Sequence, residues 1–258
     1  MSGRLMVIGL GPGEVPGMTV QAVEALERAD CFYGYGPYLD RVLGADDPRR
    51  VASDNREEGE RAREALERAA GGECVAVLSG GDPGVFAMAA AVCEQIERGP
   101  KSFRQLAVEI IPGVSAMLAA AAACGAPLGH DFCAISLSDN LKPWSTIERR
   151  LTLAAEAGLV MALYNPISKA RPWQLGEALE RLRDYLPGGT VVVFAHAAGR
   201  RNQSVVNTTL ARASADQANM ATLVIIGSEQ TRVIKRTKQP PLIYTPRYAP
   251  GFEPGELH

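Results

Sequence analysis

Short aliphatic or β-branched runs alternate with longer amphipathic stretches along nearly the whole chain. That alternation is the signature of βα units assembling a mainly parallel sheet. The runs predict strands over 5–9, 31–34, 74–78, 108–111, 132–136, 159–164, 191–195 and 222–226. Apolar residues spaced i, i+3, i+4 predict helices over 20–29, 57–70, 85–97, 115–124, 145–157 and 174–185. In the helix from 57, Ala62, Ala65, Leu66 and Ala69 make the apolar stripe, while Glu57/Arg61 and Glu64/Arg68 are expected to pair on a solvated face. Ser145 and Glu148 stand at capping-box spacing, which predicts the start of the next-to-last helix. The fold class is α/β. Pro112 and Gly113 punctuate the chain with several strands on either side, so two α/β domains are expected, over 1–112 and 113–240. Pro240, Pro241, Pro246, Pro250 and Pro254 predict an extended tail over 241–258 rather than another helix.

Charge and composition narrow the classes of function. The chain has 258 residues, with 27 Lys and Arg against 29 Asp and Glu, a formal charge of −2. No global basic field is present to hold nucleic acid or an anionic membrane, so neither is an expected partner. The longest apolar stretch, 114–123, is alanine-rich, contains Ser115 and is too short to span a bilayer. Before Gly11-Pro12-Gly13 the N-terminal apolar run covers only 5–10, less than a secretory signal requires, and a cytoplasmic location is expected. Cys31, Cys74, Cys93, Cys124 and Cys133 fit no disulfide framework and no CxxC metal site, and are expected as buried free thiols. His130, His196 and His258 show no metal-ligand spacing, and neither GxSxG nor HExxH occurs, so no metal or hydrolytic site is expected.

The chemistry is expected in loops at the ends of strands. The stretch VIGLGPGE (7–14) lies where a dinucleotide fold keeps its phosphate loop, but Glu14 replaces the last glycine of GxGxxG and Pro12 removes an amide. It is either a structural turn or a close approach of backbone to some other ligand. In LSGGDPGV (78–85) Asp82 could simply cap a helix with Pro83 at its first position, yet a cap leaves Gly80 and Gly81 unexplained. IPGVSA (111–116) repeats the arrangement, with Ser115 as a second candidate cap. MALYNP (161–166), FAHAAGR (194–200) and MATL (220–223) do so again in the second half. Small residues and main-chain groups at several strand ends suit a ligand held mostly by backbone hydrogen bonds.

Taken together, GLGPG (9–13), SGGDPGVFAMA (79–89), IPGVSA (111–116), GAPLGHDFCAISLSD (125–139), LYNPISKAR (163–171) and MATLVIIG (220–227) resemble the tetrapyrrole methylase family, in order and spacing, over about 4–230. GYGPYLD (34–40), the SLSD segment with its downstream Pro143-Trp144, and YNPISKAR are similar to the branch that methylates C17 of precorrin-3B in cobalamin biosynthesis. The resemblance implies a two-domain enzyme, usually a homodimer, holding a folded S-adenosyl-L-methionine in the trough between its domains. By motif matching it implies cofactor contacts from Leu10, Asp82, Val85, Ser115, Ala116, Leu163, Thr222 and a position around Ala197. The implied reaction also contracts the ring and moves protons, for which Asp139, Tyr164, Asn165 and His196 are candidates. A carboxylate-fringed substrate calls for local cations, with Lys169 and Arg171 best placed and Arg200 and Arg201 next. A sibling methyltransferase acting at another carbon, a cobalt-containing substrate and a non-catalytic small-molecule binder all stay open.

Overall fold

The computed structural model describes residues 3–54, 57–249, 251 and 252. The chain divides into two compact units between Ala116 and Met117, a few residues beyond the expected boundary.

In the first unit the elements run β1 (Arg4–Gly9), α1 (Val20–Glu27), β2 (Cys31–Tyr35), α2 (Gly36–Leu39), β3 (Arg50–Ser53), α3 (Glu58–Ala70), β4 (Cys74–Ser79), α4 (Met88–Arg98) and β5 (Ala107–Ile111). The strands form one sheet in the order β3-β2-β4-β1-β5, parallel throughout. Strands of such a sheet are buried on both faces, and β1 shows how. Leu5 and Val7 pack with Ala62, Ala65, Leu66 and Ala69 of α3, whereas Met6 and Ile8 pack with Ala22 and Ala25 of α1. Thr19 starts α1, its hydroxyl accepting from the Ala22 amide and donating to the Pro112 carbonyl.

The expected charge ladder on α3 forms differently. Arg63 pairs with Glu60 and Glu67, and Arg68 pairs with Glu73 beyond the helix end. Arg61 is buried, donating to Ser53 Oγ and to the Asp54 carbonyl, with its Nη1 against the sulfur of Met88. Its position on the helix turns it inward beside the apolar stripe, so it serves the interior rather than the solvated face.

The second unit continues α5 (Ala116–Cys124, whose first residue closes the first unit), β6 (Gly125–Ala126), β7 (Phe132–Ser136), α6 (Trp144–Glu156), β8 (Val160–Tyr164), α7 (Gln174–Arg183), β9 (Val191–His196), β10 (Ser204–Thr209), β11 (Thr222–Ile226), β12 (Arg232–Arg236) and β13 (Gln239–Tyr244). Its main sheet is ordered β10-β9-β11-β8-β7, and only β7 and β8 are parallel. The expectation of a mainly parallel sheet therefore holds for the first unit alone. A loop of a few residues, such as the one joining β9 to β10, can connect only antiparallel neighbours. Helix α6 begins one residue before the expected capping box, with Pro143 at the N-cap and no side-chain cap.

The expected tail is partly structure. In a small third sheet, β13 pairs with β12 and, through Ile243 and Tyr244, with β6. Pro240 and Pro241 fall where the β12–β13 register shifts, a position that needs no ladder amide. Thr245 fastens the chain just beyond β13, donating to the Pro127 carbonyl at 2.6 Å and bonding the Thr231 hydroxyl at 2.9 Å. Pro250 and Pro254 lie outside the described residues. Among the described residues no helix is long and apolar enough to cross a membrane. Cys31 and Cys124 are buried thiols, and burial pushes both up to about 11. Cys74 and Cys133 are half-buried, and Cys93 on α4 is exposed, contrary to expectation, because it falls on the outer side of that helix.

Candidate active site

At the carboxyl ends of β1, β4 and β5 the first unit brings three glycines together. A Cβ on Gly113 would lie 2.3 Å from the Gly81 carbonyl oxygen and 2.9 Å from the carbonyl of Gly9; one on Gly9 would lie 2.7 Å from the Gly113 nitrogen. Gly11 and Gly81, both at positive φ, exchange hydrogen bonds, each amide donating to the other's carbonyl at 3.1 and 2.9 Å. The Leu10 amide donates to Ser79. Gly80 is bare because the Tyr38 ring rests on it, 2.7 Å from where a Cβ would be. These glycines splice three loops to one another, and the amides of Leu10, Gly11 and Gly81 are spent within that splice.

Two side chains hold the splice. Asp82 Oδ1 accepts from the Gly84 amide at 2.8 Å and Oδ2 from the Gly113 amide at 3.1 Å, tying the loop after β4 to the one after β5. It does not cap a helix: α4 starts only at Met88, after Ala87. The intervening Phe86 is half-exposed at a φ of 53°, a strained conformation for an aromatic residue of the kind that collects at functional sites. Arg41 lies under the first loop, donating to the carbonyls of Leu10 at 2.5 Å, Gly11 at 3.2 Å and Gly13. A lone arginine after a one-turn helix carries no sequence signal, and it went unread. Val85 and Ala116 are half-buried on these loops, Ser115 is buried, and Leu10 is wholly buried in the core.

One end of the second unit's main sheet gathers the other candidates. Ser136 pairs with Tyr164 across β7 and β8, and His196 pairs with Thr222 across β9 and β11. Asn165 and Ala197, the residues after β8 and β9, both take positive φ, at 52° and 47°. Asn165 Nδ2 donates to Ser136 Oγ at 3.0 Å, and the Tyr164 hydroxyl accepts from the Met117 amide in the first turn of α5. Asp139 accepts from Nε2 of the buried Gln174 at 3.0 Å. Leu163 is wholly buried with the core around α6 and α7, so any ligand contact from it, as from Leu10, is through the main chain. Arg171 donates to the Asn165 carbonyl and closes a tight turn with Ser168 that leaves Lys169 exposed. Arg200 and Arg201 lie on the exposed turn after β9.

Asn219 organises this edge and was not foreseen. Its Oδ1 takes the Ala221 amide, the Thr222 hydroxyl and Nδ1 of His196, at 2.9 to 3.1 Å. An amide oxygen only accepts, so Nδ1 of His196 is the donor in this bond, and in the neutral ring the lone pair then falls on Nε2. Asn219→Ala is expected to cost about 1 kcal/mol, whereas Asn219→Asp, which keeps the acceptor, retains most of the stability in a denaturant titration.

Residues 4–214 match the family model of the Tetrapyrrole (Corrin/Porphyrin) Methylases. The chain belongs to this family. Among its tetrapyrrole methylase relatives is the precorrin-3B C(17)-methyltransferase of Sinorhizobium sp, 61% identical over 251 residues, which are 97% of this chain and 99% of that protein. The crystal structure of the methyltransferase CobJ superposes with a TM-score of 0.88 at 45% identity, covering 95% of this chain and all of that one (100%). A uroporphyrin-III C-methyltransferase from Thermus thermophilus, complexed with S-adenosylhomocysteine, shares the fold at a TM-score of 0.66 and 23% identity, covering 87% and 97% of the two chains.

Proposed function

We propose that this chain transfers a methyl group from S-adenosyl-L-methionine to C17 of precorrin-3B, with contraction of the macrocycle, in cobalamin biosynthesis. The observation that carries the reading is the 61% identity to the Sinorhizobium precorrin-3B C(17)-methyltransferase over nearly the full length of both chains. The donor set fits the cofactor. A sulfonium with an ammonium group asks for oxygen acceptors, which Asp82 and the carbonyl groups at the strand ends supply. A ligand without phosphate needs no nest of amides, and in the first loop Pro12 lacks an N–H and the amides of Leu10 and Gly11 are already bonded. Asp82, Val85, Ser115 and Ala116, with the main chain at Leu163 and Ala197 and the Thr222 hydroxyl, are the residues that would hold the cofactor.

When bound, the cofactor supplies an electrophilic methyl group. Attack by an electron-rich substrate carbon needs no side-chain nucleophile, so alignment of the partners does most of the catalytic work, about 7–11 kcal/mol in well-oriented systems. Ring contraction adds proton transfer. Of the four candidates, His196 is the best prepared, with Nε2 left as an acceptor by the bond that Nδ1 makes to Asn219. Asp139, Tyr164 and Asn165 are already bonded to Gln174, Met117 and Ser136 and shape the edge around it. A cytoplasmic homodimer belongs to the same reading, and light scattering of the purified chain tests the dimer.

Incubation with precorrin-3B and methyl-labelled cofactor, then NMR of the product, is expected to place the label at C17. A label on another carbon overturns the assignment. The double variant Lys169→Ala, Arg171→Ala is expected to raise the KM for precorrin-3B about tenfold while the S-adenosylhomocysteine Kd stays unchanged by calorimetry. Equal loss of both would make these cations structural.

A further inference from the structure

Beside the polar edge, two joined segments of the second unit carry exposed apolar side chains that the proposed reaction leaves unassigned. Residues 137–143 come directly after β7 and residues 165–173 directly after β8, its parallel neighbour in the sheet. The Asp139–Gln174 hydrogen bond and an edge-to-face contact between Trp144 and Trp173, ring centroids 4.9 Å apart, join them. Trp144 packs on the core, which holds the pair in place. Trp173 stays 44% exposed, and Leu141, at the tip of its segment, is 93% exposed. A fixed indole and a bare leucine on neighbouring loops cost solvation that packing within the unit does not return.

The same two segments carry cations. Lys142 follows Leu141 in the chain and is half-buried. Lys169 and Arg171 lie on the other segment, and Asp139, the carboxylate between the two, is engaged by Gln174. An apolar floor with basic groups at its margin matches a flat, greasy ligand edged with carboxylates, which stacks on an indole face and salts its acids to Lys and Arg. The geometry points to Leu141, Trp173 and Lys142, together with Lys169 and Arg171, as a platform that seats the acid-bearing periphery of the macrocyclic substrate and so sets which way round it enters. This inference rests on the tetrapyrrole reading for its ligand, and on the two loops alone for its place.

Uroporphyrin III, a stable macrocycle with eight carboxylates, is the probe. Hydroxyl-radical footprinting of the full chain, read by mass spectrometry, is expected to show Leu141 and Trp173 protected at least fivefold at saturating porphyrin, with Phe252 unchanged. The double variant Leu141→Ser, Trp173→Ser should raise the porphyrin Kd tenfold or more and leave the S-adenosylhomocysteine Kd within twofold. Failure to bind the porphyrin, or binding that leaves Leu141 and Trp173 as reactive as in the free chain, overturns the platform. The two readings fail separately. A chain that binds the methyl-donor product but leaves this surface bare loses the platform alone. One that protects the surface yet binds no S-adenosylhomocysteine keeps the platform and loses the methyltransferase assignment.

Discussion

Gly113→Ala is expected to destabilise the first unit by about 3 kcal/mol, the upper range for forcing a methyl group into a filled site. The added carbon would meet the Gly81 carbonyl oxygen at 2.3 Å and the Gly9 carbonyl at 2.9 Å, all of it main chain with no flexible side chain to yield. Three loops would have to separate to admit it. Calorimetric melting should show the transition of this unit falling by roughly 10 °C, with the transition of the second unit in place if the two units melt separately. Gly176→Ala is the control, since nothing lies within 4 Å of its Cβ position in α7. There alanine should stabilise the helix by about 0.5–1 kcal/mol. Equal melting of the Gly113 variant and the parent would show that the three loop ends are looser than their spacing implies.

Asp82→Ala carries the second large effect, and it falls on binding. The carboxylate accepts from Gly84 and Gly113, and charge-assisted bonds of this kind contribute about 1.5–3 kcal/mol each. Without them the loop after β4 loses its tie to the loop after β5. On the proposed cofactor reading, an acceptor for the ligand's ammonium group is lost at the same time. Titration calorimetry is expected to show S-adenosylhomocysteine binding at least about 100-fold weaker, close to 2.7 kcal/mol. Asp82→Asn should recover part of the loss through its one remaining carbonyl oxygen. Retention of parental affinity in the alanine variant would remove Asp82 from the cofactor site and leave it a structural tie.

How each element is stabilised decides whether it can be read from the sequence. The eight expected strands all occur, and most of their runs are apolar enough to be buried, as with Val191–His196 and Thr222–Ile226, although β5 and β7 are half-open. The strands that went unread lie at edges or in the small third sheet. Arg232–Arg236 is exposed along its whole length, and Ser204–Thr209 has no buried residue, so neither leaves an alternating trace. Helix starts were misread where backbone geometry outweighs side-chain capping: Pro143, already extended, starts α6 without help from Ser145.

The site was legible as a set of places, less so as a set of contacts. The loops picked out by their glycines do lie at strand ends, and Asp139, Tyr164, Asn165, His196, Ala197 and Thr222 do collect at one end of one sheet. The first glycine loop was left open between a structural turn and a close approach to a ligand, and in the fold Gly9, Gly81 and Gly113 make room for one another. Spacing along a chain cannot show which main-chain atoms from distant segments will touch. Arg41 and Asn219 were missed for the same reason, since each acts on groups that only folding brings within reach.

The two tryptophans of the chain are Trp144 and Trp173, one seated on the core and the other open to water, with no third elsewhere. Tryptophan fluorescence of this protein therefore comes from a single location, with no tryptophan in the first unit. Replacing Trp144 with phenylalanine would leave one emitter, and its colour and quenching would track events at that spot in real time, with no dye attached.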